Sequence, residues 1–405
     1  MSATLNATLT ARATDMASDI VFIGLAITSS WGNGHATTYR SLIKGLHERG
    51  HRVLFLERDQ PWYARHRDAP ELPFCETQLY ADTQDLRHRF RDRIHAADAV
   101  IVGSYVQDGA EVCDWVLDHV DGVSAFYDID TPVTLARLRS GDCGYLRAEQ
   151  IPEFALMLSF TGGPTLARLE REYGARRVAP LYCSVDAQEY RPRDVVRDID
   201  LGYMGTYSED RQAGIERLLN VPARRLPARG FAVVGAQYPR ELRWPANVRR
   251  IDHLAPGEHA AFYSRQRCTL NLTRADMRRA GYSPSVRLFE AAACGTPIIS
   301  DDWPGIEEVL TPGTEILIAR SSADVVAYLA EMPDAHRARI ARAAREHVLG
   351  AHSSSHRAEQ LETYIAAAWS RPAPGRTGTT RSQGEGSSGR DSPTREAPTR
   401  SCAAL

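Results

Sequence analysis

What this chain lacks narrows it first. Its seven cysteines stand at positions 75, 113, 143, 183, 268, 294 and 402. No two are spaced CxxC, and none keeps the Cys/His spacing of a zinc site. An odd, scattered set excludes a disulfide framework and fits thiols in a reducing compartment. No apolar run approaches the ~18 residues of a membrane-spanning helix. The opening "MSATLNATLTARATDMAS" has no apolar centre of a secretory leader. An excess of one charge is missing too: 49 Lys+Arg stand against 51 Asp+Glu, a net charge of -2. That gives no electrostatic case for a nucleic-acid partner. A cytoplasmic protein with no stable membrane span, no metal and no cofactor is expected, with peripheral membrane association left open. The terminal "CAAL" fits a prenylation box, but the tail before it has no dense basic cluster, and chance accounts for four residues.

Residues 1–18 are small and polar without periodicity. Residues 371–405 are rich in Pro, Gly, Ser, Thr and Arg. Neither stretch can bury enough apolar surface to offset ordering entropy, and both are expected to be disordered. Between them, short apolar runs alternate with helical patterns: "DIVFIGLA" (19–26), "HRVLFLE" (51–57), "DAVIVGSY" (98–105), "GVSAFYD" (122–128) and "ALMLSF" (155–160). Continuous apolar runs of this length predict parallel strands covered on both faces. The pattern restarts at "DIDLGYMG" (198–205) and continues through "GFAVVGA" (230–236), "RCTLNLT" (267–273), "TPIIS" (296–300) and "EILIA" (315–319). The spacing predicts two α/β, Rossmann-like doubly wound domains, 19–190 and 191–351. "EYRPRDVVRD" (189–198) is the natural linker, and a closing helix follows over 352–370. Tandem domains of this kind place a ligand cleft between the carboxyl ends of their strands.

Five stretches can carry chemistry there. In "SSWGNGHATTYR" (29–40), Gly32 and Gly34 allow a tight turn before a helix whose free amides favour an anion. The stretch is not GxGxxG, and Glu57 is the nearest acid for a dinucleotide ribose. His35 is either a general base for a hydroxyl or a cap. In "FYDIDTPVT" (126–134), alternation along the strand turns only one of Asp128 and Asp130 to the cleft. Asp130 is the choice, with capping of the next helix as the competing role. "SFTGGPTLARLE" (159–170) exposes amides at another strand end. In "GYMGTYSEDRQ" (202–212), Gly205 and Thr206 open a turn, and Arg211 either grips a diphosphate or is a solvated surface residue.

The fifth is "GYSPSVRLFEAAACGTPIIS" (281–300). Ser283 suits the N-cap and Pro284 the first helical position. Ser283, Arg287, Glu290 and Cys294 then share one face. Phosphate would meet the first turn, and Glu290 could accept from two ribose hydroxyls. The bland alternative is an exposed Arg287–Glu290 pair.

"SPSVRLFEAAACGTPIISDDWPGIEEVLTPGTEILIA" (283–319) resembles the nucleotide-sugar-binding segment of GT-B glycosyltransferases. It is especially similar to the spore-maturation CgeB-like branch, related to glycosyltransferase family 4. "LYCSVDAQEYRP" (181–192) is similar to the group's interdomain segment, and "HSSSHRAEQLETYI" (352–365) to the C-terminal helix that returns to the first domain. The resemblance implies a GT-B fold and transfer from a UDP- or GDP-sugar without metal. The acceptor hydroxyl, on a saccharide, lipid, protein or small molecule, is not specified. Glu290 matches the ribose-binding Glu of the family's paired motif, and Tyr282 stands where the earlier Glu would be. The family's diphosphate-binding Arg/Lys pair has only positional substitutes here: Arg211, Arg274 and Arg287. Ser283 and Ser285 would face the donor. His35 or Asp130 would serve as base if the enzyme inverts. A 2-epimerase of the same fold, or a non-catalytic sugar-nucleotide binder, are the alternatives.

Overall fold

A computed structural model of the protein describes residues 17–31 and 34–369. Gly32, the chain up to residue 16 and the tail with its CAAL ending lie outside the described residues. Seven strands form the first sheet: β1 (Asp19–Gly24), β2 (Arg52–Arg58), β3 (Glu76–Tyr80), β4 (Ala99–Gly103), β5 (Val123–Asp128), β6 (Leu156–Ser159) and β7 (Val178–Pro180). Their order is β3-β2-β1-β4-β5-β6-β7. Six strands form the second: β8 (Ile199–Met204), β9 (Phe231–Val234), β10 (Val248–Ile251), β11 (Gln266–Asn271), β12 (Ile298–Ser300) and β13 (Leu317–Ile318), ordered β10-β9-β8-β11-β12-β13. Every strand pair in both sheets is parallel.

In each sheet the strand order reverses once, between β1 and β4 and between β8 and β11. Open parallel sheets hold their ligands outside the strand ends at such a reversal. The central strands read as continuous apolar runs because both faces are covered, and β4 and β5 are buried along their whole length. The unforeseen strands β3, β7 and β10 all lie at sheet edges. They are short or half-exposed, as in "ETQLY" and "VRRI", so they carry no unbroken apolar signal.

The helices that frame the cleft are α1 (His35–Glu48), α2 (Thr131–Ser140), α3 (Pro164–Tyr173), α4 (Glu209–Ile215), α5 (Val286–Ala293) and the closing α6 (Ser354–Trp369). Tyr39, Leu42, Ile43 and Leu46 of α1 bury one face of the first sheet. The turn after α1 closes at Gly50, whose φ of 95° suits a residue without Cβ. Helix α6 belongs to the chain's end yet packs on α1. A Cβ at Gly45 would stand 2.3 Å from the Ser354 carbonyl oxygen, so only glycine admits this approach. Arg49 and His51 both bind the Glu362 carboxylate, at 2.7 and 2.8 Å. No described helix is long and apolar enough to cross a membrane.

Candidate functional site between the two sheets

A cavity of about 250 Å³ opens where the carboxyl ends of the two sheets face each other. Gly34, His35 and Asp130 line it from the first domain; Gly205, Thr206, Arg211, Arg274, Ser283, Ser285, Arg287 and Glu290 line it from the second. These eleven residues, named from sequence on separate stretches, therefore reach one cavity, whereas Glu57, Asp128 and Tyr282 do not line it. Gly32 lies outside the described residues.

On the first-domain side, Gly34 holds the N-cap position of α1, which removes the capping role from His35. The His35 ring is fully buried and neither ring nitrogen has a partner. It stands edge-on to Tyr105, ring centroids 5.5 Å apart. Burial pushes its pKa down to about 3, so at neutral pH it is an uncharged imidazole. Asp130 sits at the N-cap position of α2, but its side chain makes no capping bond. Its Oδ2 accepts from the Tyr105 hydroxyl at 2.9 Å and lies 3.6 Å from the Arg274 guanidinium across the domain boundary. Burial raises the Asp130 pKa, and Arg274 pulls it back. Asp128 turns away, accepting from the Thr134 hydroxyl at 2.8 Å and the Asp130 amide at 3.1 Å. Glu57 is consumed structurally. It accepts from the Ile27 and Thr28 amides at 2.7 and 2.9 Å and from the Thr28 hydroxyl at 2.6 Å, which ties the loop after β1 to the end of β2 and leaves no acid there for a dinucleotide ribose.

On the second-domain side, two glycines bring the loops after β8 and β9 into contact. A Cβ on Gly235 would fall 1.9 Å from the Gly205 carbonyl oxygen. Arg211 is buried rather than solvated; it donates to the Thr206 carbonyl at 2.7 Å while its Nε has no partner. Arg287 donates to the Met204 carbonyl and to Asn271 Oδ1, both at 2.7 Å, and lies over the Tyr203 ring. Ser285 donates to the same Asn271 oxygen at 2.7 Å. Glu290 accepts from the Tyr263 hydroxyl at 2.9 Å. Burial raises its pKa to about 7, partly offset by that bond.

Two sequence expectations are corrected here. Arg287 and Glu290 are 6% and 4% exposed, so they are not an exposed surface pair. The helix begins at Val286 with Ser285 at the N-cap position, not with Ser283 and Pro284. The Ser283 hydroxyl is engaged by that of Thr161 in the first domain, which holds Ser283 and Pro284 out of helical register. Tyr105, Tyr263 and Asn271 escaped the sequence reading. Asn271 ends a strand, a position that could have marked it. The two tyrosines carry no motif, and only folding brings their hydroxyls to the carboxylates. Among the described residues, no three His, Cys, Asp or Glu side chains gather as a metal cluster.

Residues 211–363 match a family model described as glycosyl transferase-like. No curated protein matches the chain. Among solved structures, sucrose-phosphate synthase from Thermosynechococcus elongatus is similar at 14% identity and TM-score 0.63, covering 87% of this chain and 99% of that one. Anabaena HepE in complex with UDP and glucose is similar at 13% identity and TM-score 0.65, covering 86% of this chain and 100% of that one. An alpha-glucosyltransferase in complex with UDP and a modified DNA reaches TM-score 0.67 at 14% identity, covering 86% and 100%. The fold is thus the GT-B architecture of glycosyltransferases. The glycosyl transferase-like segment covers most of the second domain and runs on into α6.

Proposed function

We propose that this protein is a glycosyltransferase that moves a sugar from a UDP- or GDP-sugar to an acceptor hydroxyl without a metal ion. The observation that carries the reading is convergence. Arg211, Arg274, Arg287 and Glu290 come from three different stretches of sequence and line one cavity at the strand ends. Guanidinium nitrogens of Arg211 and Arg274 that make no hydrogen bond offer donors to a diphosphate, Arg274 while facing Asp130 at 3.6 Å. As the sugar C1–O bond breaks, negative charge grows on that diphosphate, and fixed cations stabilise it without reorganising. Arg287, held to Met204 and Asn271, keeps the loop after β8 and the end of β11 in place and adds its own charge. Glu290, ionised when a donor occupies the cavity, accepts from the ribose hydroxyls beside Tyr263. The acceptor enters from the first domain, where Asp130 or the uncharged His35 imidazole takes its proton if the reaction inverts, and the donor phosphate does so if it retains. The finer assignment, to the CgeB-like branch near glycosyltransferase family 4, rests on the retained Glu290 and the surrounding segment.

A thermal-shift panel of UDP- and GDP-sugars tests the donor reading. A true donor at 100 times its Kd stabilises by ~2.7 kcal/mol. Glu290→Ala should weaken that donor about ten- to hundred-fold, the worth of charge-assisted hydrogen bonds. If no nucleotide sugar shifts the wild type, the proposal fails. Product analysis with the best donor then separates transfer or hydrolysis from 2-epimerisation and from binding without turnover.

A further inference from the structure

Tyr282 occupies the place where the resemblance would put a carboxylate, and its surroundings give it a different task. Its φ is 52°, a left-handed conformation uncommon for a bulky residue. Such strain persists only where neighbours over-determine it, and here they come from both domains. The Tyr282 amide donates to the Pro304 carbonyl of the second domain at 2.7 Å, and its carbonyl accepts from the Gly162 amide of the first at 2.9 Å. The ring lies between two glycines. A Cβ on Gly163 of the first domain would fall 2.4 Å from ring atom Cδ2, and one on Gly305 of the second 2.3 Å from Cδ1. The slot therefore exists only because neither domain presents a side chain there. The next residue, Ser283, bonds Thr161 across the same seam. Arg274, a few residues earlier, faces Asp130. The cavity wall runs through Ser283, Pro284 and Ser285 but leaves out Tyr282.

We infer that Tyr282 is an interdomain latch: a positioning residue whose ring, gripped by Gly163 and Gly305, holds the 281–285 segment against the first domain. The latch itself does not depend on the donor reading. Only its consequence for donor affinity does, because Ser283–Ser285 line the cavity that reading assigns to the donor.

Small-angle scattering of the ligand-free full chain decides it. Tyr282→Gly removes the ring while easing the positive φ, and the radius of gyration should rise. Tyr282→Phe keeps the ring and should scatter as wild type. Gly163→Ala pushes on the ring from the other domain and should expand the molecule likewise; it serves where Tyr282→Gly does not fold. Equal radii in wild type, Tyr282→Gly and Gly163→Ala overturn the latch, whether or not any nucleotide binds. Where a nucleotide sugar binds the wild type, Tyr282→Gly should weaken it about ten-fold and Tyr282→Phe should not. Unchanged affinity in an expanded Tyr282→Gly overturns the coupling.

Discussion

At the residue scale, buried ionisable groups without full compensation mark this site. Glu290 has its folded-state pKa raised from 4.5 to about 7 by burial. Between those values the folded protein holds a proton that the unfolded chain has released, so this group's contribution to stability falls as pH rises through the window. Binding of ribose hydroxyls to the carboxylate needs the ionised form, and donor affinity should therefore increase from pH 6 to pH 8. Calorimetric titration of wild type and Glu290→Gln checks this: the variant should lose the slope and bind more weakly. Asp128 is likewise raised to about 7 by burial, but it is common to both proteins and cancels in the comparison. His35 gives a contrasting case. Its two unpartnered nitrogens contribute desolvation cost and no hydrogen bond, so His35→Phe should melt at the same temperature or higher. If His35 takes the acceptor proton, turnover of that variant should drop by ~10²–10⁴-fold. The residue types of the site were legible in sequence, because Gly–Gly turns, a lone Arg early on a helix and the "RLFEAAACG" run each imply chemistry at a strand end. Their hydrogen-bond partners were not, since Tyr105 and Tyr263 lie 25 and 27 residues from the carboxylates they bind.

At the element scale, the approach of α6 to α1 ties the chain's end to its first domain. Gly45 is the contact point, with the Ser354 backbone directly above it. Gly45→Val should overpack this contact and destabilise by about 1–3 kcal/mol despite valine's better helix propensity. Urea unfolding of the variant measures the effect, and an unchanged midpoint would count against such close packing. The small residues of α5 play a related part. Ala291, Ala292 and Ala293 are fully buried, which lets that helix sit close to its sheet and present Arg287 and Glu290 at the cavity. Alternating strands and helices were readable from apolar runs. The start of α5 was not, because Ser283 satisfies the local rules for an N-cap while its hydroxyl is held across the domain seam by Thr161.

At the scale of the whole molecule, one continuous apolar core joins the two domains. It runs from Phe22 and Tyr39 through Leu181 and Tyr190 to Leu288, Phe289 and Leu361. Heating should therefore give a single calorimetric transition rather than two; two resolved peaks would show that the domains unfold separately. Sequence by itself determined the local order: which runs become covered strands, where helices stop, and that the architecture is duplicated. Those outcomes follow from side-chain periodicity and turn chemistry within a few residues. The tertiary structure alone decided which strand edges are filled, which partners hold Asp130, what Glu57 holds, and that Tyr282 lies in a slot between glycines from both domains. Each of these depends on groups that are distant in the chain, and no local pattern encodes the distance between them.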